Sequence, residues 1–226
     1  MSPPPLIVAI DGPSGVGKST AARRLARRLS VPFLDTGAMY RAVALEVLEA
    51  GADPLDRDRV VAIAGEADVR LGRREDGSFE VLLDGEPVEP RIRTPEVGEA
   101  TSTISTYPEV RQRMVRLQRE AAGRFGGVLE GRDIGTRVFP DTPYKFYLDA
   151  RSDVRHQRRF DELAAAGRPV PFEQVVDEIS RRDLRDSTRT DSPLTRDDSY
   201  TFIDSSNLSV DEVVERMAEA IEGRGA

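Results

Sequence analysis

Apolar residues in this chain gather in short runs, and most runs are followed by a stretch with helical spacing. Leu6–Ile10, Val31–Asp35, Gly127–Glu130, Tyr144–Asp149 and Tyr200–Asp204 are too short for helices and lack strict alternation, so they predict strands buried on both faces. Between them lie segments with helical spacing: Lys18–Leu29, Gly37–Ala50 (Tyr40, Val43, Ala44 and Val47 on one face, Gly51 as stop), Asp56–Glu66, Pro108–Ala122, 152–165, Phe172–Asp186 and Val210–Ile221, the last capped by Ser209. Strands alternating with helices predict an α/β fold with a parallel five-stranded sheet flanked by helices.

One segment breaks this rhythm. From Ala67 to Glu89 the chain alternates around two turn signals, Glu75-Asp76-Gly77-Ser78 and Asp84-Gly85. Such Asp-Gly signals predict a small antiparallel β insert, placed at about 63–101. The core is then 1–62 and 102–226, within a single domain over 1–226.

The first strand leads into Gly12-Pro13-Ser14-Gly15-Val16-Gly17-Lys18-Ser19-Thr20, a G-x-x-x-x-G-K-[ST] phosphate-binding loop between strand and helix. Gly12, Gly15 and Gly17 let backbone N–H groups curl inward around a phosphate. The helix that follows aims its positive end at the same anion. Lys18 is placed to reach the β- and γ-phosphates of ATP, and Ser19 to ligate Mg²⁺. The chain has only two lysines, Lys18 and Lys145, among 33 basic residues. One of the two occupies the position that requires a compact ammonium.

Composition narrows the alternatives. The net charge of −7 argues against a nucleic-acid coat protein, and the basic stretch Arg111–Arg119 lacks interleaved aromatics for base stacking. Without cysteine there are no disulfides and no cysteine–zinc sites. Met1–Pro5 carries no basic segment and the apolar run after it is too short for a signal peptide or membrane span, so a cytoplasmic protein without membrane contact is expected. A GTPase would need an N-K-x-D loop, and none is present.

Ligands of open α/β sheets bind at the carboxyl ends of the strands. Asp35, Glu130, Asp149 and Asp204 all end apolar runs, and each is a candidate to help hold Mg²⁺ or to cap a helix. Arg41, Arg111, Arg132, Arg158, Arg159, Arg182 and Arg189 are candidate anion grips near loop ends. His156, in a basic helical stretch, is expected to be solvated and without a catalytic role.

Several motifs converge on one family. IDGPSGVGKST (10–20), LDTGAMYR (34–41), IRTPEV (92–97), YPEVR (107–111), EGRDIGT (130–136), VFPD (138–141), RRDLRDSTR (181–189) and SPLTRDDSYTFIDSSNLSVDEVV (192–214) run in order along nearly the whole chain. Together they resemble bacterial cytidylate kinases, P-loop enzymes that phosphorylate CMP and dCMP with MgATP. The resemblance implies a P-loop fold with a monophosphate-binding insert and a short lid at about 153–170. It implies that Thr36, Tyr40 and Arg41 line the CMP pocket and that Ser102 and Asp133 lie near the cytosine. Arg111 and Arg132 would grip CMP, Arg182 and Arg189 would face CMP and the transferring phosphoryl group, and Asp186 would meet the ribose. Arg158 would be a lid arginine for the ATP phosphates. It also implies a monomer. Two positions depart from the usual pattern. Thr36 stands where serine is frequent, and Glu130 where aspartate is, which moves the carboxylate outward by roughly 1.5 Å. The alternative is another small P-loop kinase acting on UMP, a different monophosphate or a metabolite.

Overall fold

A computed structural model describes residues 5–74 and 79–223. The chain runs β1 (Ile7–Asp11), α1 (Lys18–Leu29), β2 (Phe33–Asp35), α2 (Thr36–Glu49), α3 (Arg57–Glu66), β3 (Val69–Arg73), β4 (Phe79–Leu83) and β5 (Glu86–Pro87). It continues with α4 (Pro95–Ile104), α5 (Pro108–Phe125), β6 (Gly127–Gly131), β7 (Tyr144–Asp149), α6 (Ser152–Ala165), α7 (Phe172–Thr188), β8 (Thr201–Asp204) and α8 (Val210–Glu222). The five predicted strands form one parallel sheet in the order β2-β6-β1-β7-β8.

Successive residues of β1, β2 and β6 feed opposite layers. Ala9, Leu34 and Leu129 pack with α2, α3, α4 and α5, whereas Val8, Ile10, Phe33 and Val128 pack with α1 and α8. This two-sided burial explains why the strands read as continuous apolar runs. Helices α6 and α7 share a separate small cluster of Leu163, Val175 and Ile179.

β3, β4 and β5 form the expected antiparallel sheet. Asp84 (φ 52°) and Gly85 (φ 85°) make the two-residue turn between Leu83 and Glu86, both central residues having positive φ. The other turn signal, 75–78, lies outside the described residues. Val69, Val81 and Leu83 join the same core as α2 to α5, so the small sheet packs on the main fold without a core of its own.

The sequence reading passed over one helix. α4 begins inside the stretch assigned to the β insert and runs past its end, yet it carries ordinary start signals: Thr94 accepts from Val97 N at 3.2 Å and Pro95 stands in the first turn. The second strand begins at Phe33 rather than Val31, and α2 begins at Thr36, capped by the Asp35 carboxylate. At α8, Ser209 and Glu212 form a reciprocal capping box.

Candidate active site

The carboxyl ends of β1, β2 and β6 open into a cleft of about 510 Å³, bounded by α2, α4, α5, α6 and α7. Its floor is the loop between β1 and α1. Two glycines there are forced by close approach. A Cβ on Gly12 (φ 151°) would lie 2.0 Å from the Leu148 carbonyl oxygen, and one on Gly15 (φ 78°) 2.7 Å from that of Arg155. Ser14 to Thr20 line the cleft, whereas Gly12 and Pro13, expected with them, are not part of its lining.

Lys18 opens α1 and is buried, with its ammonium donating to the Pro13 carbonyl at 2.6 Å. Burial lowers its pKa to about 7, aided by the positive charges of Arg132 and Arg182. The site thus holds a cation that its own surroundings disfavour, the condition that an incoming polyanion relieves.

The structure separates the four candidate acids. Glu130 is buried, accepts a hydrogen bond from Ser19 and faces Lys18. Burial pushes its carboxyl up, with the Asp35 charge adding to the shift. Asp35 lines the cleft too, but it caps α2 through Ala38 N and pairs with Arg93 at 2.7 Å. Burial opposes its ionisation, yet Arg93 and Arg41 hold its pKa below the ordinary value. Asp149 and Asp204 are engaged in local turns, accepting from Ala150 N and from Ser206, away from the cleft lining.

The other end of the cleft is built from side chains of five separate segments. Thr36, at the start of α2, donates to the Glu130 carbonyl at 2.6 Å. Tyr40, one turn later, lies under the Arg111 guanidinium, 5.4 Å from the ring centre, and burial raises its phenol pKa. Arg41 donates to the Ile92 carbonyl at 3.2 Å; burial lowers its pKa to about 10. From α4, Ser102 accepts from Arg185 at 3.0 Å. Arg111 of α5 pairs with Asp133, and both are buried.

Arg132 spans both ends. It donates to Asp186 at 2.7 Å and to the Ser14 hydroxyl, in the phosphate loop, at 3.0 Å. Arg189 approaches Asp186 at 3.4 Å and Asp133 at 3.9 Å. Burial would raise the Asp186 carboxyl, but Arg132, Arg182 and Arg189 hold it below its ordinary value. The Arg182 side chain makes no hydrogen bond or ion pair among the described residues, and burial together with Arg132 lowers its pKa. Arg158, on α6, donates to Ser205 through its hydroxyl (3.1 Å) and carbonyl (2.7 Å) while lining the cleft.

All seven arginines singled out by position therefore converge on one cleft. Sequence reasoning missed an eighth, Arg93, and the pair Arg155–Asp183, in which Asp183 receives Ser14 N at 3.4 Å and ties α6 and α7 to the phosphate loop. The signal for Asp183 was its place in RRDLRDSTR. His156 is half-buried, not solvated, because Phe172 packs edge-on at 6.5 Å.

The Glu130 carboxylate beside the Ser19 hydroxyl is a hard oxygen pair suited to Mg²⁺. Among the described residues no group of three or more acidic or histidine ligands could hold a metal.

The family model for cytidylate kinase matches residues 8–223. The cytidylate kinase of Corynebacterium glutamicum is 48% identical over 218 residues, covering 96% of this chain and 94% of the relative. That of Syntrophotalea carbinolica is 46% identical, covering 97% and 93%. That of Caldanaerobacter subterraneus is 45% identical, covering 95% and 93%. With the phosphate loop, the arginine-lined cleft and a match over nearly its whole length, this chain belongs to the cytidylate kinase family.

Proposed function

We propose that this protein is an ATP-dependent nucleoside monophosphate kinase that transfers the γ-phosphoryl group of MgATP to CMP or dCMP, giving ADP and CDP or dCDP. The observation that carries the reading is Arg132. One guanidinium touches both the phosphate loop and the arginine–aspartate cluster at the opposite end of the cleft. A residue so placed sits between a donor and an acceptor nucleotide.

In this reading the backbone of 14–19 cradles the ATP phosphates, and Lys18 leaves the Pro13 carbonyl for the β- and γ-oxygens. Ser19, with Glu130 directly or through water, would hold Mg²⁺, which supplies charge neutralisation between the β- and γ-phosphates when bound. The acceptor is already a phosphate anion, so the chain needs no strong general base. Its work is positioning and cancelling repulsion between two anions. Arg132, Arg182 and Arg189 take that role at the transferring group, and Arg158 swings from Ser205 toward the donor phosphates as the lid closes. Thr36, Tyr40 and Arg41 line the acceptor pocket, and Asp186 receives the ribose hydroxyls.

Ser102, Asp133 and Arg111 read the base. A pocket built for the N4 amino group of cytosine leaves buried polar groups unpaired against the O4 of uracil. The insert at 63–101 and the lid at 153–170 close over acceptor and donor respectively, excluding water that would hydrolyse ATP. We further infer a cytoplasmic monomer. Among the described residues no helix is long and apolar enough to cross a membrane.

The test is ADP release from MgATP with CMP, dCMP, UMP, AMP and GMP as acceptors. Turnover with CMP or dCMP well above the others is expected. No turnover with either overturns the assignment, and activity on UMP alone transfers it to another monophosphate kinase.

A further inference from the structure

Asp11 ends β1, immediately before the phosphate loop, and is fully buried. Among the described residues no lysine or arginine pairs with it. Its carboxylate is instead met by three neutral donors: Ile134 N at 2.9 Å, Gly135 N at 2.9 Å and the Tyr200 hydroxyl at 2.7 Å. Burial pushes the Asp11 carboxyl above its ordinary value, and these three hydrogen bonds counter that shift.

Two of the donors belong to the turn that directly follows Arg132 and Asp133. The clamp is tight. A Cβ on Gly135 would lie 2.6 Å from the Tyr200 hydroxyl and 3.0 Å from the Lys145 chain, and one on Gly131 would lie 2.8 Å from Ile134 and 2.9 Å from the Thr36 hydroxyl. The backbone carrying Arg132 and Asp133 is therefore pinned on both sides. Tyr200 is buried outside the cleft lining, at the sheet edge just before β8. Burial and the adjacent Asp11 charge keep its phenol protonated, above the ordinary tyrosine value.

We propose that Asp11 and Tyr200 are a positioning pair for the acceptor half of the site: together they fix the turn that aims Arg132 and Asp133, so Tyr200 sets affinity for the monophosphate without touching it. The kinetic part of this proposal rests on the reading given under Proposed function. The structural part does not.

Tyr200→Phe removes one hydroxyl and keeps the ring. The expected result is a rise of about tenfold in KM for CMP, with KM for ATP changed less than about twofold. Asp11→Asn, which presents an amide nitrogen to one of the two N–H donors, should carry the same asymmetry further. Hydrogen exchange at the Ile134 and Gly135 amides should speed up in Tyr200→Phe, with the remaining sheet amides unchanged. Parallel rises in both KM values, an unchanged KM for CMP, or unchanged exchange at 134 and 135 overturns the proposal. The exchange measurement decides it even for an enzyme that rejects CMP, so its failure is distinct from failure of the assigned reaction.

Discussion

The two ends of the cleft are made by different kinds of construction. The proposed donor end is one continuous loop and the first turn of one helix, 12–20. The acceptor end draws Thr36, Tyr40 and Arg41 from α2, Ser102 from α4, Arg111 from α5, Arg132 and Asp133 from the turn after β6, and Asp186 and Arg189 from α7 and its end. The donor end carries one buried cation, Lys18, whose charge its surroundings disfavour. The acceptor end ties its segments together through Arg111–Asp133, Arg132–Asp186 and Arg189–Asp186, while burial still lowers the pKa of Arg41, Arg182 and Arg189. One end thus rests on a single buried lysine in a contiguous loop, whereas the other holds its geometry through ion pairs between distant segments.

That contrast is broken or sharpened most strongly at Lys18. Lys18→Ala should lower turnover by at least about a thousandfold, because no other cation replaces it at the β- and γ-phosphates. Its melting temperature should hold or rise, since a disfavoured buried charge has been removed. A melting temperature that collapses would place Lys18 in the fold rather than in the chemistry. ADP release and a thermal melt read both quantities.

Arg182→Ala and Arg189→Ala should each lower kcat by about a hundredfold, and here the stabilities should part. Among the described residues the Arg182 side chain makes no hydrogen bond or ion pair, and its own burial is unfavourable, so its variant should melt close to the wild type. Removing Arg189, whose side chain is 3% exposed, leaves Asp133 and Asp186 less compensated and lowers the melting point. Equal stabilities would erase the distinction between the two.

Ser102→Ala should act on selectivity. It is expected to lower kcat/KM for CMP about tenfold and to change that for UMP less, narrowing the ratio between them. The same loss on both acceptors would remove Ser102 from base recognition.

The smallest effect is a proton count. Phosphate anions raise the Lys18 pKa from about 7, so at pH 8 the free protein is mostly neutral there and the ATP complex is charged. Binding should take up as much as about one proton at pH 8 and much less at pH 6. Calorimetry in buffers of different ionisation enthalpy measures it. In the free protein the same group adds stability as pH rises from about 7 toward its ordinary 10.5, because the unfolded chain binds more protons over that range.

Legibility from sequence followed the same division. β1, β2 and β6 were readable because they are buried on both faces and so appear as unbroken apolar runs, whereas the edge strand β8, with Phe202 exposed, was readable from its short apolar run alone. The phosphate loop was readable because its glycines, lysine and serine are contiguous. α4 went unread because a stretch dominated by hairpin signals hid its Thr94-Pro95 start. The four strand-end acids were indistinguishable as a list. Only packing puts Glu130 against Ser19 and gives Asp35 to Arg93, while Asp149 and Asp204 close local turns. The partners of Asp11 lie 123, 124 and 189 residues away, a separation no local pattern reports.

By itself the sequence determined the α/β alternation, the phosphate loop with its lysine, the antiparallel insert and, through ordered motifs, the resemblance to one kinase family. Those features are encoded by neighbours along the chain, where backbone periodicity and glycine freedom act directly. The tertiary structure alone decided which acid stands beside Ser19, which arginines remain unpaired and which carboxylate anchors the turn bearing Arg132 and Asp133. The physical reason is range. Charge, burial and hydrogen-bond satisfaction depend on distance in space, and only the folded sheet brings these residues within reach of one another.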